Sequence, residues 1–447
     1  MDLGDERLNR RVVNLAEQLA AQPMMPINQA CEDWADTKAA YRLFANEKVS
    51  VEKLLAPHQK RTQERMGFYR QVLAVQDTTV FNYTHHPKTA GLGPIGTTKQ
   101  EQQGMLMHST LTLTPAGMPL GVLTQDIWVR PEEPVEMSKE ARRQRPIEEK
   151  ESYKWLKALQ ETVDRSPEGT QVITVCDREG DIFEFFVEAN RLSAPVLVRS
   201  AQNRSLLPPE EGKLWEAIER QPIAGYLKIQ VPAQAEQPAR EAIVSVRFGA
   251  VTLKPPRHLA STDRNVPQPL SAILVQEIDP PEGVTPLDWR LLTNLPVLSF
   301  EEAVECIGWY RCRWHIEVFH KVIKSGCRVE DCRLGQASRL QRFLTLFSII
   351  AWRLYWLTHI NRHYPDEPCT VILTDPEWQA LYATIHRSPV LPQQAPTVYQ
   401  AVRWIAQPGG FLGRKGDGEP GITVIWRGWQ RLSDIASTWQ LLHPPPS

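Results

Sequence analysis

Two short apolar segments that each end in an aspartate constrain the fold of this chain more than any other feature. Residues 71–77 read QVLAVQD and residues 171–177 read QVITVCD. Runs of this length and composition predict buried strands. A carboxylate at the end of such a strand projects from the sheet edge at which open α/β sheets bind their ligands. The pair therefore predicts a sheet that presents Asp77 and Asp177 to a ligand.

The segments around these two strands alternate between strand and helix patterns. Further strand patterns cover 108–114, 118–129 and 195–200, and helical patterns cover 147–164 and 181–192. Strands mixed with helices in this way are typical of a sheet that is covered on both faces. We therefore expect an α/β fold with a mixed sheet at its centre.

The first part of the chain has the spacing of a small helical unit. Residues 6–21 place four apolar side chains on one helical face, and 38–46 and 50–66 also have helical patterns. The apolar face consists of Leu8, Val12, Leu15 and Leu19. The basic residues of this unit either contact DNA phosphates or line a solvated helix face, and composition alone leaves both interpretations open for Arg7, Arg10, Arg11 and Arg42.

Residues 201–295 differ from their surroundings, because they are rich in Pro, Gln and other polar residues. Strand patterns within them cover 225–231, 242–253, 271–278 and 289–293. Helical patterns resume at 299–324, 338–362, 375–386 and 396–406. We predict a helical domain at 1–65, a central α/β domain at 70–362 with a β-rich insertion at 201–295, and a helical domain at 363–447.

Composition and charge are those of an ordinary globular protein. The 447 residues are 42% hydrophobic and 23% charged, with a formal net charge of -1. This balance argues mildly against a nucleic-acid binder, although local clustering matters more than the total. Residues 311–328 hold Glu317 as their only acid beside five basic residues, which are Arg311, Arg313, Lys321, Lys324 and Arg328.

Apolar runs and cysteines indicate the compartment. The sequence has no uninterrupted apolar run of about 18 residues, so we expect no spanning helix. It also begins without the apolar stretch of a secretory signal, and its seven cysteines form no CxxC pair. Cys312, His315 and His320 spread too widely around a helix to converge on a zinc ion. We therefore expect a cytoplasmic location with reduced thiols.

The helical pattern at 299–324 supplies a third acid. Tyr310, Arg313, Glu317 and Lys324 fall within roughly 60° of one another around a helix. An acid flanked by two cations suits a site in which two metal ions, about 3.5–4 Å apart, activate the attacking oxygen and stabilise the leaving one. Spacing alone leaves open an exposed ion-pair stripe, because Arg313 and Glu317 are four residues apart.

The segment YRCRWHIEVFHKVIK at 310–324 contains the pattern Y-x2-R-x3-E-x6-K. It resembles the bacterial insertion-sequence transposases that cut and paste DNA through a hairpin intermediate, a family that includes the transposase of a composite kanamycin-resistance transposon. The resemblance extends in the same order to AVQDTT, VCDREGDI, LVRS and PLDWRLLT, and near the two ends to LGDERLNRRVVNLAEQLA and GGFLGRKGDGEPG.

This resemblance implies a ribonuclease H-like core interrupted by a β-rich insertion. It implies that Asp77, Asp177 and Glu317 form a DDE triad that binds two Mg²⁺ ions, for which Mn²⁺ can substitute. Trp289 resembles the residue that stacks on a flipped base, although a core tryptophan is the simpler interpretation of that position alone. Implied DNA-binding residues are Tyr310, Arg313, Lys324, Trp289, Arg178, Arg199, His320, Lys321, Arg10 and Arg42.

The function that the resemblance implies is that of a DNA transposase. Such an enzyme is a DNA endonuclease that nicks transposon ends, forms and resolves a hairpin, and joins the 3′-OH ends to target DNA. We expect it to bind double-stranded terminal inverted repeats and target DNA, and to act as a homodimer that holds two ends. We also expect it to act away from membranes, in the bacterial cytoplasm, at the nucleoid when DNA is bound.

Two alternatives remain at the level of sequence. One is a structure-specific nuclease that uses the same site without strand transfer. The other is a truncated DNA-binding inhibitor of transposition. Family members extend further ahead of the position that matches Leu3, and this difference is the support for the second alternative.

Overall fold

The computed structural model describes residues 2–31, 33–96, 102–131, 144–208, 212–231, 239–259 and 262–443. Four helices open the chain, namely α1 (Glu6–Ala21), α2 (Ile27–Ala30), α3 (Trp34–Ala45) and α4 (Val51–Met66). The carboxylate of Asp5 caps α1 by accepting a hydrogen bond from the backbone N–H of Arg7. The predicted apolar face of α1 is confirmed, because all four of its members are buried.

A mixed sheet follows these helices. Its first strands are β1 (Gln71–Asn82), β2 (Gly93–Pro94), β3 (Gln103–Leu113), β4 (Pro119–Trp128), β5 (Gln171–Cys176) and β6 (Val196–Arg199). β3 pairs antiparallel with both β1 and β4, whereas β1, β5 and β6 pair parallel. Helices α5 (Tyr153–Asp164) and α6 (Phe183–Arg191) lie between these strands in the chain. The predicted α/β class with a mixed sheet is confirmed.

The next segment extends the same sheet. It contains β7 (Ser205–Leu206), β8 (Gly212–Lys213), α7 (Leu214–Glu219), β9 (Gly225–Val231), β10 (Arg240–Leu253), β11 (Gln268–Glu277) and β12 (Asp288–Thr293). The four strands predicted within 201–295 are therefore confirmed. β12 pairs antiparallel with β6, so these strands continue the sheet instead of forming a separate one.

The last part of the chain is helical, as predicted. It contains α8 (Phe300–Cys312), α9 (Trp314–Lys321), α10 (Ala337–His363), α11 (Asp375–His386), α12 (Val398–Ala406) and α13 (Ile422–Leu442). The prediction of one continuous helix over 299–324 is wrong. The helix is interrupted at Arg313, where Ile316 N–H donates to the carbonyl of Arg313 in a tighter turn, and it ends in a π turn at Val322–Gly326.

Helix α10 connects the parts of the molecule. The Arg342 guanidinium donates to the carbonyls of Phe44 and Val49, and the Phe343 ring packs edge-on against Phe44. Within the described residues, α10 is also the one helix long and apolar enough to cross a membrane. Since 72% of its most apolar window is buried inside the protein, it also has the burial of a core helix.

Candidate carboxylate site

Sheet register brings the first two aspartates to the same height. β1 and β5 pair in parallel from Gln71 with Gln171 up to Val75 with Val175. Asp77 and Asp177 each follow two residues after that last pair, so they stand side by side where the parallel pairing ends. This register is set by the two apolar runs, which are buried together in the core.

Asp77 does not end its strand, contrary to the sequence-based expectation. β1 continues to Asn82, because its antiparallel pairing with β3 extends to Asn82 opposite Gly104. At Asp77, β1 is therefore still paired with β3 but no longer with β5. The edge of β1 is open there, on the side where Asp177 leaves the sheet, so the Asp77 carboxylate still lies at the site.

The carboxyl of Asp77 is electrostatically perturbed. Burial raises its pKa to about 7, and the nearby charges of Asp177 and Glu317 act in the same direction. The backbone N–H of Thr78 (2.7 Å to Oδ1) and the charge of Arg313 oppose the shift. The three acids predicted from the sequence thus lie near enough to raise the energy of a charged Asp77.

Asp177 begins a short 3₁₀ turn, Arg178–Gly180. Its Oδ1 accepts a hydrogen bond from the N–H of Glu179 at 2.8 Å, which orients the carboxylate. Gly180 packs against Cys176 so closely that a Cβ at Gly180 would lie 2.6 Å from the Cys176 Cβ. The turn is therefore pressed against the end of β5. We refer to residues 177–182 as the catalytic turn, after the role that the sequence resemblance implies for Asp177.

Glu317 extends from α9 and is paired with Arg313. The guanidinium Nη2 lies 2.6 Å from Glu317 Oε1. The Arg313 side chain is only 13% exposed and that of Glu317 is 34% exposed, so the pair is not the solvated surface stripe that spacing alone had left open. The Arg313 guanidinium also lies 5.9 Å from the Tyr310 ring centre, so it lines the same site.

The π turn positions Lys324. Its ammonium lies 5.7 Å from the ring centre of Phe81, which follows Asp77 on β1. Burial lowers the pKa of Lys324, while the charges of Glu330 and Asp77 oppose that shift. π turns within α-helices are frequent at functional sites, and this one leaves Lys324 within electrostatic reach of Asp77.

Trp289 and Arg199 border the site on the side of the insertion. The Trp289 ring packs edge-on against Tyr310, with 5.3 Å between ring centres. Trp289 is half-buried, so part of its ring remains open to solvent. Arg199 Nη2 donates to the carbonyl of Asp288 at 3.0 Å and so joins β6 to β12. The structure thus brings Trp289 against Tyr310 of the 310–324 pattern, whereas Arg199 contacts the strand that carries Trp289.

The other predicted DNA-binding residues occupy varied positions. His320 is buried, with Nδ1 3.8 Å from Asp77 Oδ2, so a direct DNA contact would require its ring to become accessible. Arg178 and Lys321 are exposed on the catalytic turn and on α9. Arg10 and Arg42 are exposed on α1 and α3, on the N-terminal helices instead of at the carboxylates. Each of these DNA contacts stays a prediction.

The donor set suits a hard divalent cation, but its arrangement is incomplete. Mg²⁺ takes a few carboxylates together with water and phosphate oxygens. Over the described ranges, no group of three or more His, Cys, Asp or Glu side chains is set to hold a metal ion. The carboxylates of Asp77 and Asp177 lie together, whereas that of Glu317 is engaged by Arg313.

Sequence reasoning missed two groups that help to shape the site. Thr78 donates its backbone N–H to Asp77, and its hydroxyl lies 2.9 Å from Nδ1 of the buried His108. Asp181 accepts hydrogen bonds that tie the catalytic turn to the start of the insertion. Both lie within the motifs AVQDTT and VCDREGDI, but only the fold shows what their side chains contact.

Comparison with protein families gives two matches, one at each end of the chain. Residues 1–49 match a family model described as transposase DNA-binding. Residues 349–439 match a family model described as the transposase Tn5 dimerisation domain. These matches support a transposase of the Tn5 type that binds DNA and forms a homodimer. Neither match includes Asp77, Asp177 or Glu317.

Proposed function

We propose that this protein is a DDE transposase that cuts and joins DNA by two-metal phosphoryl transfer. The observation that carries the proposal is that Asp77 lies within the electrostatic influence of both Asp177 and Glu317, which come from separate parts of the chain. The family matches support the coarser function from regions that do not contain these residues. The site and the comparisons are therefore independent lines of support.

The order of strands supports a ribonuclease H-like core. β4, β3, β1, β5 and β6 lie side by side in that order, with two antiparallel pairs followed by two parallel pairs. We assign this core to 70–362, with 201–295 as its insertion. We assign DNA-end binding to 1–65 and dimerisation to 363–447.

Asp77, Asp177 and Glu317 would hold two Mg²⁺ ions, and Mn²⁺ could replace them. When bound, such ions activate the attacking oxygen and stabilise the leaving one. Burial, together with the charge of Asp177, raises the pKa of Asp77 to about 7. This supports cation binding, because a nearby positive charge would stabilise the ionised form. Glu317 would have to exchange its bond to Arg313 for this role.

The cationic side chains would position the DNA. Arg313 pairs with Glu317, and Lys324 lies within electrostatic reach of Asp77. Both would hold the phosphates that flank the scissile bond, since guanidinium and ammonium groups suit that geometry. Tyr310 would donate its hydroxyl to a neighbouring phosphate. Arg178, Arg199, His320 and Lys321 would contribute further contacts, with Arg10 and Arg42 on the transposon end.

Trp289 would accept a base flipped from the transposon end. A DNA hairpin bends sharply, and removing one base from the stack relieves that bend at a cost of a few kcal/mol. Stacking on an aromatic ring recovers about 1–3 kcal/mol. The half-buried Trp289 ring lies beside Tyr310, and the Tyr310 ring centre lies 5.9 Å from the Arg313 guanidinium, so a base stacked on Trp289 would lie next to the cleaved strand.

The reaction then has four phosphoryl transfers at one site. Water attacks the phosphate at the transposon end and releases a 3′-OH. That hydroxyl attacks the opposite strand to give a hairpin, water reopens the hairpin, and the 3′-OH attacks target DNA. A homodimer would hold two ends, with each subunit's catalytic residues acting on the end that its partner binds. The enzyme would act in the bacterial cytoplasm, at the nucleoid.

The test is cleavage of labelled DNA that carries the native end of the element, in the presence of Mg²⁺. The wild-type protein is compared with Glu317→Ala and with the control Glu305→Ala, which removes an exposed carboxylate from α8. We expect hairpin and excised products from the wild type and from Glu305→Ala only.

Other outcomes would point to other functions. End binding without cleavage by any protein would favour the truncated inhibitor. Nicking without a hairpin or strand transfer would favour a structure-specific nuclease. Equal cleavage by Glu317→Ala would remove Glu317 from the triad.

A further inference from the structure

Asp181 is a buried charged residue that the proposed chemistry does not use. Its side chain is fully shielded from solvent, and that of its partner Arg204 is 9% exposed. One carboxylate oxygen, Oδ2, accepts the backbone N–H groups of Ala201 (2.7 Å) and Gln202 (2.9 Å). The other, Oδ1, accepts Nε (3.0 Å) and Nη2 (2.7 Å) of Arg204.

These bonds form a clamp between two parts of the site. On one side is the catalytic turn, which begins with Asp177 and carries Arg178. On the other side is the segment Ser200–Arg204, through which the chain leaves β6 for the insertion. The backbone of Asp181 also takes part, because its carbonyl accepts Arg204 Nη2 at 2.6 Å.

The clamped segment is directly connected to the residues that border the carboxylates. Arg199 immediately precedes it and donates to the carbonyl of Asp288, the neighbour of Trp289. Ser200 N–H donates to the carbonyl of Arg290 at 2.7 Å, on the other side of Trp289. Besides the pairing of β12 with β6 and of β6 with β5, a short path of hydrogen bonds through Asp181 therefore connects Trp289 to the turn that begins with Asp177.

We propose that Asp181 is a positioning residue that fixes Arg199 and Trp289 against the catalytic turn, an inference that rests on the proposed function. Its role is to set the distance between the flipped base and the phosphate that is cut. Hairpin formation depends most on this distance, because the strand must bend while its 3′-OH attacks. Small misplacements of reacting groups cost about 100-fold in rate.

Only a carboxylate fits this position. It provides lone pairs for four N–H donors and has no hydrogen to place against them. In Asp181→Asn, the amide NH₂ would face either the backbone N–H groups or the guanidinium, both of which are donors. The shape of the side chain would be kept while one side of the clamp would be lost.

The experiment compares three full-length proteins on labelled end DNA with Mg²⁺. They are the wild type, Asp181→Asn, and the control Glu188→Gln. Glu188 is a similarly buried carboxylate that accepts from Arg191 and Gln160 on α6 and α5, away from the clamp. Hairpin formation, nicking, DNA binding and backbone amide exchange in 200–204 are measured for each protein.

For Asp181→Asn we expect a hairpin rate that falls about 10- to 100-fold, with faster amide exchange in 200–204 and unchanged DNA binding. Nicking should fall less than hairpin formation. Glu188→Gln should behave as the wild type. If Asp181→Asn does not fold, Arg204→Lys provides the same test, because it keeps the charge and loses the paired guanidinium bonds.

Three results would overturn the inference. One is a wild-type hairpin rate in Asp181→Asn or in Arg204→Lys. Another is an equal loss in Glu188→Gln, which would indicate general destabilisation. The third is nicking that falls as much as hairpin formation. A wild-type protein that forms no hairpin would overturn the proposed function itself, whereas exchange in 200–204 would still report whether Asp181 holds that segment.

Discussion

Among single residues of the candidate site, Asp77 is a carboxyl group whose pKa the surroundings raise far above its ordinary value. Its pKa rises from 3.8 to about 7, chiefly through burial and then through Asp177. The folded protein therefore binds this proton more tightly than the unfolded chain does. In the absence of metal, ionisation of Asp77 therefore lowers the free energy of unfolding as the pH rises from about 4 to about 7. The free energy stays lowered above that range.

Asp77→Asn should therefore stabilise the metal-free protein while abolishing DNA cleavage. In EDTA at pH 8 we expect a gain of roughly 2–4 kcal/mol in the free energy of unfolding, since each pKa unit corresponds to about 1.4 kcal/mol. At pH 4 the two proteins should be nearly equal, because Asp77 is protonated in the folded wild type. Denaturant unfolding at both pH values measures this. If the free energy of unfolding depended on pH equally in both proteins, Asp77 would not have the raised pKa.

Trp289 allows the stacking role to be separated from a packing role. In Trp289→Ala we expect hairpin formation to fall by roughly 5- to 150-fold, which corresponds to about 1–3 kcal/mol of lost stacking. Trp289→Phe should retain most of the activity, because it keeps an aromatic face. Single-turnover assays that resolve nicking from hairpin formation measure both. Equal losses in the two steps would favour the core-tryptophan interpretation.

At the scale of elements, the catalytic turn depends on the absence of a side chain at Gly180. A Cβ there would lie 2.6 Å from the Cys176 Cβ, which cannot move without shifting β5. Gly180→Ala should therefore displace Asp177 as well as strain the core.

We expect Gly180→Ala to lower the free energy of unfolding by about 1–3 kcal/mol and to reduce cleavage further than that loss explains. Gly308→Ala is the matched control. Gly308 lies in α8 with no atom within 4 Å of its added Cβ. Alanine should stabilise a helix there by about 0.5–1 kcal/mol. Thermal unfolding and cleavage assays measure both variants, and an unaffected Gly180→Ala protein would show that the turn can shift.

The elements show what the sequence could and could not predict. Apolar runs such as 71–77 and 171–177 identify the strands, because burial of both faces requires them. The extent of strand pairing could not be predicted in this way. Asp77 lies inside β1 because β1 pairs with β3 beyond the point where its pairing with β5 ends, and no local sequence pattern indicates this. The interruption at Arg313 and the π turn likewise depend on tertiary packing. Strand ends and helical spacing identified the three acids as candidates, the resemblance implied that they form a triad, and their roles stay predictions.

At the scale of the whole molecule, charge is distributed unevenly. The net charge is only -1, yet Arg10 and Arg42 are exposed in the region that matches a transposase DNA-binding model. Local basic residues can bind DNA by releasing the counterions of its phosphates, whatever the total charge.

Arg10→Ala and Arg42→Ala should each weaken binding to end DNA and reduce its dependence on salt. We expect the slope of log K against log[salt] to become shallower by about 1 for each lost phosphate contact. Arg10→Lys keeps the charge and should keep the slope. Fluorescence anisotropy over a range of salt concentrations measures this. An unchanged slope in both alanine variants would place these arginines on a solvated helix face.

The pairing of β12 with β6 has a consequence for synthesis of the chain. Val196, Leu197 and Val198 are fully buried in the finished protein, but their partner strand, Asp288–Thr293, leaves the ribosome much later. Until then, β6 has an open edge of unpaired backbone groups, which invites pairing with other chains. A fragment that stops before residue 288 would keep that edge, so shortened products of this gene would be prone to aggregate and to be degraded.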